Sequence, residues 1–403
     1  MNKNHLPYPT IRLKAGKEHS LKRYHPWVFS GALDGGDAGI SEGDTVQVTD
    51  HKGNFLGIGH SQMGSIAVRI INFKPTLIGQ DFWVEKLTQA LQLRRGLSLG
   101  LPAKNQTNAY RLCFAEGDGL PGLIIDIFEK TAILQTYTLG MHLAKAEIVA
   151  ALQTVYQQEL NTIYDKSAET MAKNFDLAIE NQFLFGTQVS AQISENGHQF
   201  NIDWIKGQKT GFFIDQRENR ELIQRYSHNR RVLNTFCYSG GFSVYAAAGG
   251  ANCVHSIDIS QGAIELCKNN LSLNGYNPDS EQYKCIAIDT FDHLKTSGEM
   301  YDLIVLDPPA FAKSRKVSHN AIVAYKRLNY EAMKHLAPGG LLFTFSCSQV
   351  INRELFNHTI HSAAIDAGRT VRVLHQLGQA PDHPINIFNP EGEYLKGLVL
   401  SVY

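Results

Sequence analysis

Arg231-Val232-Leu233-Asn234-Thr235-Phe236-Cys237-Tyr238-Ser239-Gly240-Gly241-Phe242-Ser243 passes from a short apolar run, through a polar loop with two glycines, into a helical pattern expected over 241–249. The succession then repeats downstream. Strand-like runs at 253–258, 283–289, 301–307 and 340–346 are followed by helical patterns at 260–273, 290–297, 320–336 and 352–366. Apolar runs of strand length alternating with helices predict a mostly parallel sheet covered on both faces.

In such sheets ligands gather at the carboxyl ends of the strands, so the residues there are the ones to inspect. The first strand ends in Asn234 and a loop in which Gly240 and Gly241 let backbone approach a ligand before the helix begins. The second ends in Asp258, an acidic group placed as a ribose-diol acceptor would be. The third ends in Asp289, and the fourth in Asp307-Pro308-Pro309-Ala310-Phe311, where two prolines fix the loop and aim the carboxylate. The loop lacks the G-x-G-x-x-G spacing of a pyrophosphate site, which argues against a dinucleotide.

Upstream the character differs. From Ile11 to about Phe73, short alternating strands are broken by glycines, and 50–54 reads as a hairpin turn, so a small β-barrel or sandwich is expected. An amphipathic helix over 81–99 follows, then strands at 110–116, 122–128 and 132–137, a helix at 143–156, and strands near 163, 183–193 and 199–204. The expected domains are therefore a β-domain over 1–75, an α+β domain over 80–190 and the α/β domain over 205–403.

Composition sets the outer limits. At 403 residues, with 43% hydrophobic and 19% charged, the chain is of ordinary globular type and long enough for several cores. Lys plus Arg and Asp plus Glu balance at 38 each, but residues 1–30 hold Lys3, Arg12, Lys14, Lys17, Lys22 and Arg23 against Glu18 alone. Interleaved with Tyr8, Tyr24, His25, Trp27 and Phe29, these cations suit a phosphate backbone and unstacked bases, although a solvated arm has the same composition. The six cysteines form no Cys-x-x-Cys pair, so neither a disulfide framework nor a structural metal is expected. No apolar run approaches the roughly 18 residues of a membrane span, and the amino terminus lacks a secretory pattern, which points to the cytoplasm.

These strand ends resemble the class I S-adenosylmethionine methyltransferases. Within that class, residues 207–217 (Gly-Gln-Lys-Thr-Gly-Phe-Phe-Ile-Asp-Gln-Arg), Asn234 to Phe242, 306–314 (Leu-Asp-Pro-Pro-Ala-Phe-Ala-Lys-Ser) and Phe345-Ser346-Cys347-Ser348 resemble the bacterial large-subunit ribosomal RNA cytosine-5 methyltransferases. Residues 13–18 and 25–31 resemble that family's PUA domain, an RNA-binding β-barrel. Nearly the whole chain is covered. Gln349 and Ala310 depart from the family, which often carries His and Lys or Arg there, both at substrate contacts.

The resemblance implies a Rossmann-like domain with a mixed, mostly parallel seven-stranded sheet, and S-adenosyl-L-methionine as cofactor. It implies cofactor contacts from Phe213, Asp215, Arg217, Asn234, Phe236, Tyr238, Ser239, Gly240, Gly241, Asp258, Ile259, Asp289 and Asp307, and RNA contacts from Lys14, Lys17, Arg23, Trp27, Lys313 and Arg315. Ribosomal RNA is the implied partner, with a homodimer left open and no membrane or metal involved. It also implies that Cys347 adds to carbon 6 of cytosine, which makes carbon 5 nucleophilic, while Asp307 holds the base edge. By itself a strand-end cysteine is more often a small buried hydrophobe, and Cys237 reads as packing. Two other readings stay open: an amino-group methyltransferase acting on adenine or guanine, and a non-catalytic RNA-binding assembly factor.

Overall fold

A computed structural model describes residues 6–35, 39–101, 107–171, 178–188, 191–312 and 318–403. Two compact units emerge, one comprising 1–103, 107–190 and 381–392, the other mainly 191–380 and 393–403.

The first unit carries two five-stranded sheets. Strands β1 (Thr10–Arg12), β2 (Trp27–Phe29), β3 (Thr45–Thr49), β4 (Phe55–Ser61) and β5 (Ile66–Asn72) pair in the order β1-β3-β4-β5-β2. The β3–β4 turn is fixed by Asp50, whose Oδ1 accepts from the backbone N–H of Lys52 and of Asn54, both at 2.9 Å. Alternate residues Val46 and Val48, with Ile11, Val28, Val68 and Ile70, fill a small core. The second sheet, β6 (Ala109–Phe114), β7 (Leu123–Phe128), β8 (Thr131–Thr136), β9 (Thr162–Asp165) and β10 (Gln182–Phe185), shares a core with helices Gln80–Gly96 and Lys145–Tyr156. The helix expected over 143–156 is Lys145–Tyr156, preceded by a short helix, Leu139–Leu143, capped by the Thr138 side chain on the Met141 N–H. Residues 381–392 are anchored here: the Asp382 carbonyl accepts from Arg94 at 2.8 Å, and its carboxylate from the Arg111 N–H at 3.0 Å.

The second unit opens with a hairpin, β11 (Gln192–Glu195) and β12 (His198–Asn201). The strand expected over 183–193 is thus two strands in different units, β10 and β11. The seven-stranded sheet follows: β13 (Arg231–Thr235), β14 (Cys253–Asp258), β15 (Tyr283–Ala287), β16 (Tyr301–Leu306), β17 (Leu336–Ser346), β18 (Val371–Leu377) and β19 (Lys396–Val402), in the order β15-β14-β13-β16-β17-β19-β18. Strands β13 to β17 are parallel, and β19 runs antiparallel to both β17 and β18. The mixed, mostly parallel seven-stranded sheet that the resemblance implies is therefore present. Its central strands are buried along most of their length because both faces are covered: Leu233, Ile304, Leu306 and Leu342 pack with Tyr325, Leu328 and Phe356 from helices Ser318–Lys334 and Arg353–Asp366. Strand order reverses at β13/β16, which puts their carboxyl ends at the crevice where this architecture binds ligands.

Candidate active site

The loop after β13 is held in an unusual shape. Phe236, Tyr238 and Gly240 have φ of 53°, 45° and 77°, three left-handed residues in five, and two of them carry side chains. Hydrogen bonds hold that shape: the Ser239 carbonyl accepts from Asn270 Nδ2 at 2.8 Å, and the Tyr238 N–H donates to Asp258 Oδ2 at 3.0 Å. The other Asp258 oxygen accepts from the Ser260 N–H at 2.9 Å, so the carboxylate is fixed at the end of β14 with acceptor capacity to spare. Buried Asn234 donates to Ser243 Oγ at 2.8 Å, while its own Oδ1 is buried without a hydrogen-bond partner. Ile259, directly after Asp258, is 76% exposed, an apolar surface beside an acidic strand end. Asp289 caps helix Thr290–Thr296, its Oδ1 accepting from the N–H groups of Phe291 at 2.8 Å and Asp292 at 3.2 Å.

The segment 207–217 lies beside this loop. Tyr238 stands edge-on to Phe213, ring centroids 5.4 Å apart, and its hydroxyl donates to the Gly211 carbonyl at 3.3 Å. Lys209 sits over the Phe213 ring at 5.0 Å. Buried Arg217 opens helix Arg217–Tyr226, and Asp215, also buried, accepts from the Tyr394 hydroxyl. The segment is anchored by Arg220, which donates to both Glu195 oxygens at 2.7 and 2.6 Å and to the Phe213 carbonyl at 2.9 Å.

At the end of β16, Asp307 Oδ2 accepts from Gln216 Nε2 at 3.0 Å. Burial, and then the Asp215 carboxylate, push the Asp307 carboxyl up to about 7. Cys347 follows the last residue of β17 and is half-buried. Burial first, then the Asp307 carboxylate, raise this thiol above its ordinary range, while Lys209 opposes them. Cys347 and Asp307 thus share one electrostatic neighbourhood. The flanking hydroxyls are structural: both serines are buried, and Ser348 Oγ donates to the Ala312 carbonyl at 2.7 Å, tying the Cys347 turn to the Asp-Pro-Pro loop.

Gln216, Tyr394 and Lys396 were not singled out in the sequence, yet all three border this site. Only Lys396 leaves a trace there, as a lone cation leading the apolar run Gly-Leu-Val-Leu. Lys14, Lys17 and Arg23 are exposed in the other unit, and Trp27, half-buried there, donates its indole N–H to Glu116 at 2.8 Å beneath Arg69. Lys313 and Arg315 lie outside the described residues. Among the described residues no group of His, Cys, Asp or Glu could hold a metal ion, and no helix is long and apolar enough to cross a membrane.

This fold, with its shaped loop and acidic strand ends, is that of an S-adenosylmethionine-dependent methyltransferase, and the family of that description matches residues 174–387, with a PUA-like domain over 11–73. Ribosomal RNA large subunit methyltransferase I of Aeromonas hydrophila is 39% identical over 399 residues, 97% of this chain and 98% of that protein. The protein of the same name from Photobacterium profundum is 38% identical over 401 residues, 98% of this chain and 99% of its own length. The chain belongs to the ribosomal RNA large subunit methyltransferase I family. A SAM-dependent methyltransferase of known structure from Streptococcus mutans shares the fold, with TM-score 0.82 at 24% identity over 98% of this chain and 100% of that one. A methyltransferase complexed with SAH does so with TM-score 0.83 at 23% identity, over the same shares of the two chains. S-adenosylmethionine is accordingly the cofactor, and the site suits it: Asn234 offers a buried acceptor lacking a partner, Asp258 has acceptor capacity left, and Ile259 presents an uncovered apolar face.

Proposed function

We propose that the chain methylates carbon 5 of a cytosine in large-subunit ribosomal RNA through a thioether formed by Cys347. The observation that carries this reading is a half-buried cysteine at the end of β17 in the field of Asp307, whose carboxyl titrates near 7. Carbon 5 of cytosine is a weak nucleophile. Addition of the sulfur to carbon 6 turns the ring into an enamine, splitting one hard step into two easier ones. Ring nitrogen 3 gains basicity as the sulfur adds. A carboxyl titrating near 7 can hand it a proton and later take it back, which is the role assigned to Asp307.

Asn234, Phe236, Tyr238, Ser239, Gly240, Gly241, Asp258, Ile259 and Asp289 would hold the cofactor, with Phe213, Asp215 and Arg217 closing the near side. The bound sulfonium supplies an electrophilic methyl group. Reaching carbon 5 requires a base splayed out of the folded RNA, so a second gripping surface is needed. Exposed Lys14, Lys17 and Arg23 suit phosphates, and Tyr24 and Phe29, 53% and 48% exposed, suit stacking. Trp27, tied to Glu116 and Arg69, shapes that surface.

The test is to map 5-methylcytosine in large-subunit ribosomal RNA from cells with and without this protein. One site should vanish, and return with the wild-type chain but not with Cys347→Ala. Loss of a methylated adenine or guanine amino group instead, restored by Cys347→Ala, overturns the reading.

A further inference from the structure

Lys396 opens β19, every residue of which is buried, and is itself 2% exposed. A lysine stem packs well in such a place, but burying its charge costs free energy unless something uses it. The register shows what is near. Lys396 pairs with Ser346, the last residue of β17, so its side chain meets the turn that carries Cys347. Nζ donates to the Ser348 carbonyl at 2.6 Å and to the Tyr394 carbonyl at 2.7 Å. An ammonium has three hydrogens, and two carbonyls occupy two of its directions.

The charged and titratable groups facing Lys396 are Cys347, Glu393 and Arg353, and those around the thiol are Asp307, Asp215, Lys209 and Tyr325. Most have other engagements. Glu393 is bound by Arg353 at 2.6 Å, Asp215 takes the Tyr394 hydroxyl, and Asp307 takes Gln216 at 3.0 Å. We infer that Lys396 is the proton acceptor for Cys347, taking the thiol hydrogen as sulfur attacks and returning it when sulfur departs. The inference rests on the covalent reading above.

The bookkeeping closes. On attack the S–H bond breaks, an N–H bond forms on Nζ, and the freed sulfur pair makes the S–C6 bond. On release the C5–H pair re-forms the ring double bond, S–C6 breaks, and the thiolate recovers its proton from Nζ. Because Lys396 is charged throughout the adduct, it is not the acceptor of the C5 proton, which leaves to water. Burial pulls the Lys396 ammonium down to about 8, so part of it is neutral and able to accept a proton near pH 7.5.

The test needs no RNA. Alkylation of Cys347 by iodoacetamide in the full chain is followed by peptide mass spectrometry from pH 6 to 10, for wild type, Lys396→Met and Lys396→Arg. Lys396→Met should slow alkylation at pH 7.5 about tenfold or more and displace its pH midpoint upward, and Lys396→Arg, which keeps a charge and donors but cannot accept a proton, should stay as slow as Lys396→Met at that pH. RNA methylation by Lys396→Met should fall about 100-fold at pH 7.5 and recover towards pH 9.5. Identical alkylation profiles in wild type and Lys396→Met, or a pH-independent loss of methylation, assign Lys396 only to holding the turn and overturn the inference. Alkylation in Lys396→Arg as fast as in wild type leaves Lys396 only a charge and overturns it too. If instead Cys347→Ala still methylates RNA, the covalent reading fails, and the alkylation shift still reports separately on the Lys396–Cys347 pair.

Discussion

Replacing Glu195 by Gln should destabilise the methyltransferase unit far more than its single atom change suggests. Glu195 and Arg220 have side chains 0% and 3% exposed and are joined by two hydrogen bonds, with the Tyr245 hydroxyl donating to Glu195 at 3.0 Å. Gln keeps the volume and one acceptor, but it turns an NH2 donor towards the guanidinium and leaves that cation buried without its counter-ion. Breaking one side of such a pair costs about 3–5 kcal/mol. At roughly 2–4 °C per kcal/mol for a unit of this size, its melting transition should fall by roughly 6–20 °C. Arg220 also holds the Phe213 carbonyl, so affinity for S-adenosylmethionine should weaken together with stability. The double variant Glu195→Gln/Arg220→Met removes the stranded charge and should recover much of the loss. Scanning calorimetry of the three proteins, with the cofactor titrated into each, decides. A single variant melting within about 2 °C of wild type, about 0.5–1 kcal/mol on that scale, would refute the reasoning, as would a double variant no better than the single.

Gly240→Ala should lose cofactor binding, because φ is 77° and the added Cβ would stand 2.5 Å from Cys267 Sγ; a cost of about 1–3 kcal/mol appears as a lower melting temperature and a weaker calorimetric titration. Asp307→Asn should abolish methylation yet stabilise the fold in a pH-dependent way. The native carboxyl holds its proton up to about 7, whereas an unfolded Asp releases it near 3.9, so the wild type loses stability as pH rises between these values. The variant's advantage should therefore be absent near pH 4 and reach about 1–3 kcal/mol at pH 8, and a difference in melting temperature that does not change with pH contradicts it. Asp258→Ala removes the acceptor of the Tyr238 N–H and should weaken cofactor binding about 10- to 100-fold with kcat at saturation less affected.

The parallel part of the sheet was legible because β13, β14, β16 and the end of β17 are buried on both faces, which gives short, largely apolar runs alternating with helical patterns. The polar residues at their ends stood out for the same reason: Asn234, Asp258 and Asp307 interrupt apolar sequence. The antiparallel return was not readable from residues alone. Strand β18 is half-exposed and irregular, with a register shift between Val373 and His375, and the seven-strand count came from family resemblance. That return carries Tyr394 and Lys396 to residues such as Asp215 and Cys347, which are far away in sequence, and no local pattern encodes such proximity. Apolar residues near 183–193 misled because they belong to two strands, β10 and β11, in different units. Cys347 itself was conspicuous only through the Phe-Ser-Cys-Ser motif, whereas its partly open position and the acidic groups around it belong to the three-dimensional arrangement.

The covalent bond between sulfur and base is the central claim, and it can be trapped. When the full chain and S-adenosylmethionine are incubated with large-subunit ribosomal RNA carrying 5-fluorocytosine, fluorine cannot leave as a proton does, so the adduct should persist through denaturing electrophoresis. Mass spectrometry should then find RNA on the peptide containing Cys347, and none with Cys347→Ala. An adduct that survives in Cys347→Ala, or no adduct from a preparation that fully methylates the unsubstituted RNA, would contradict the account.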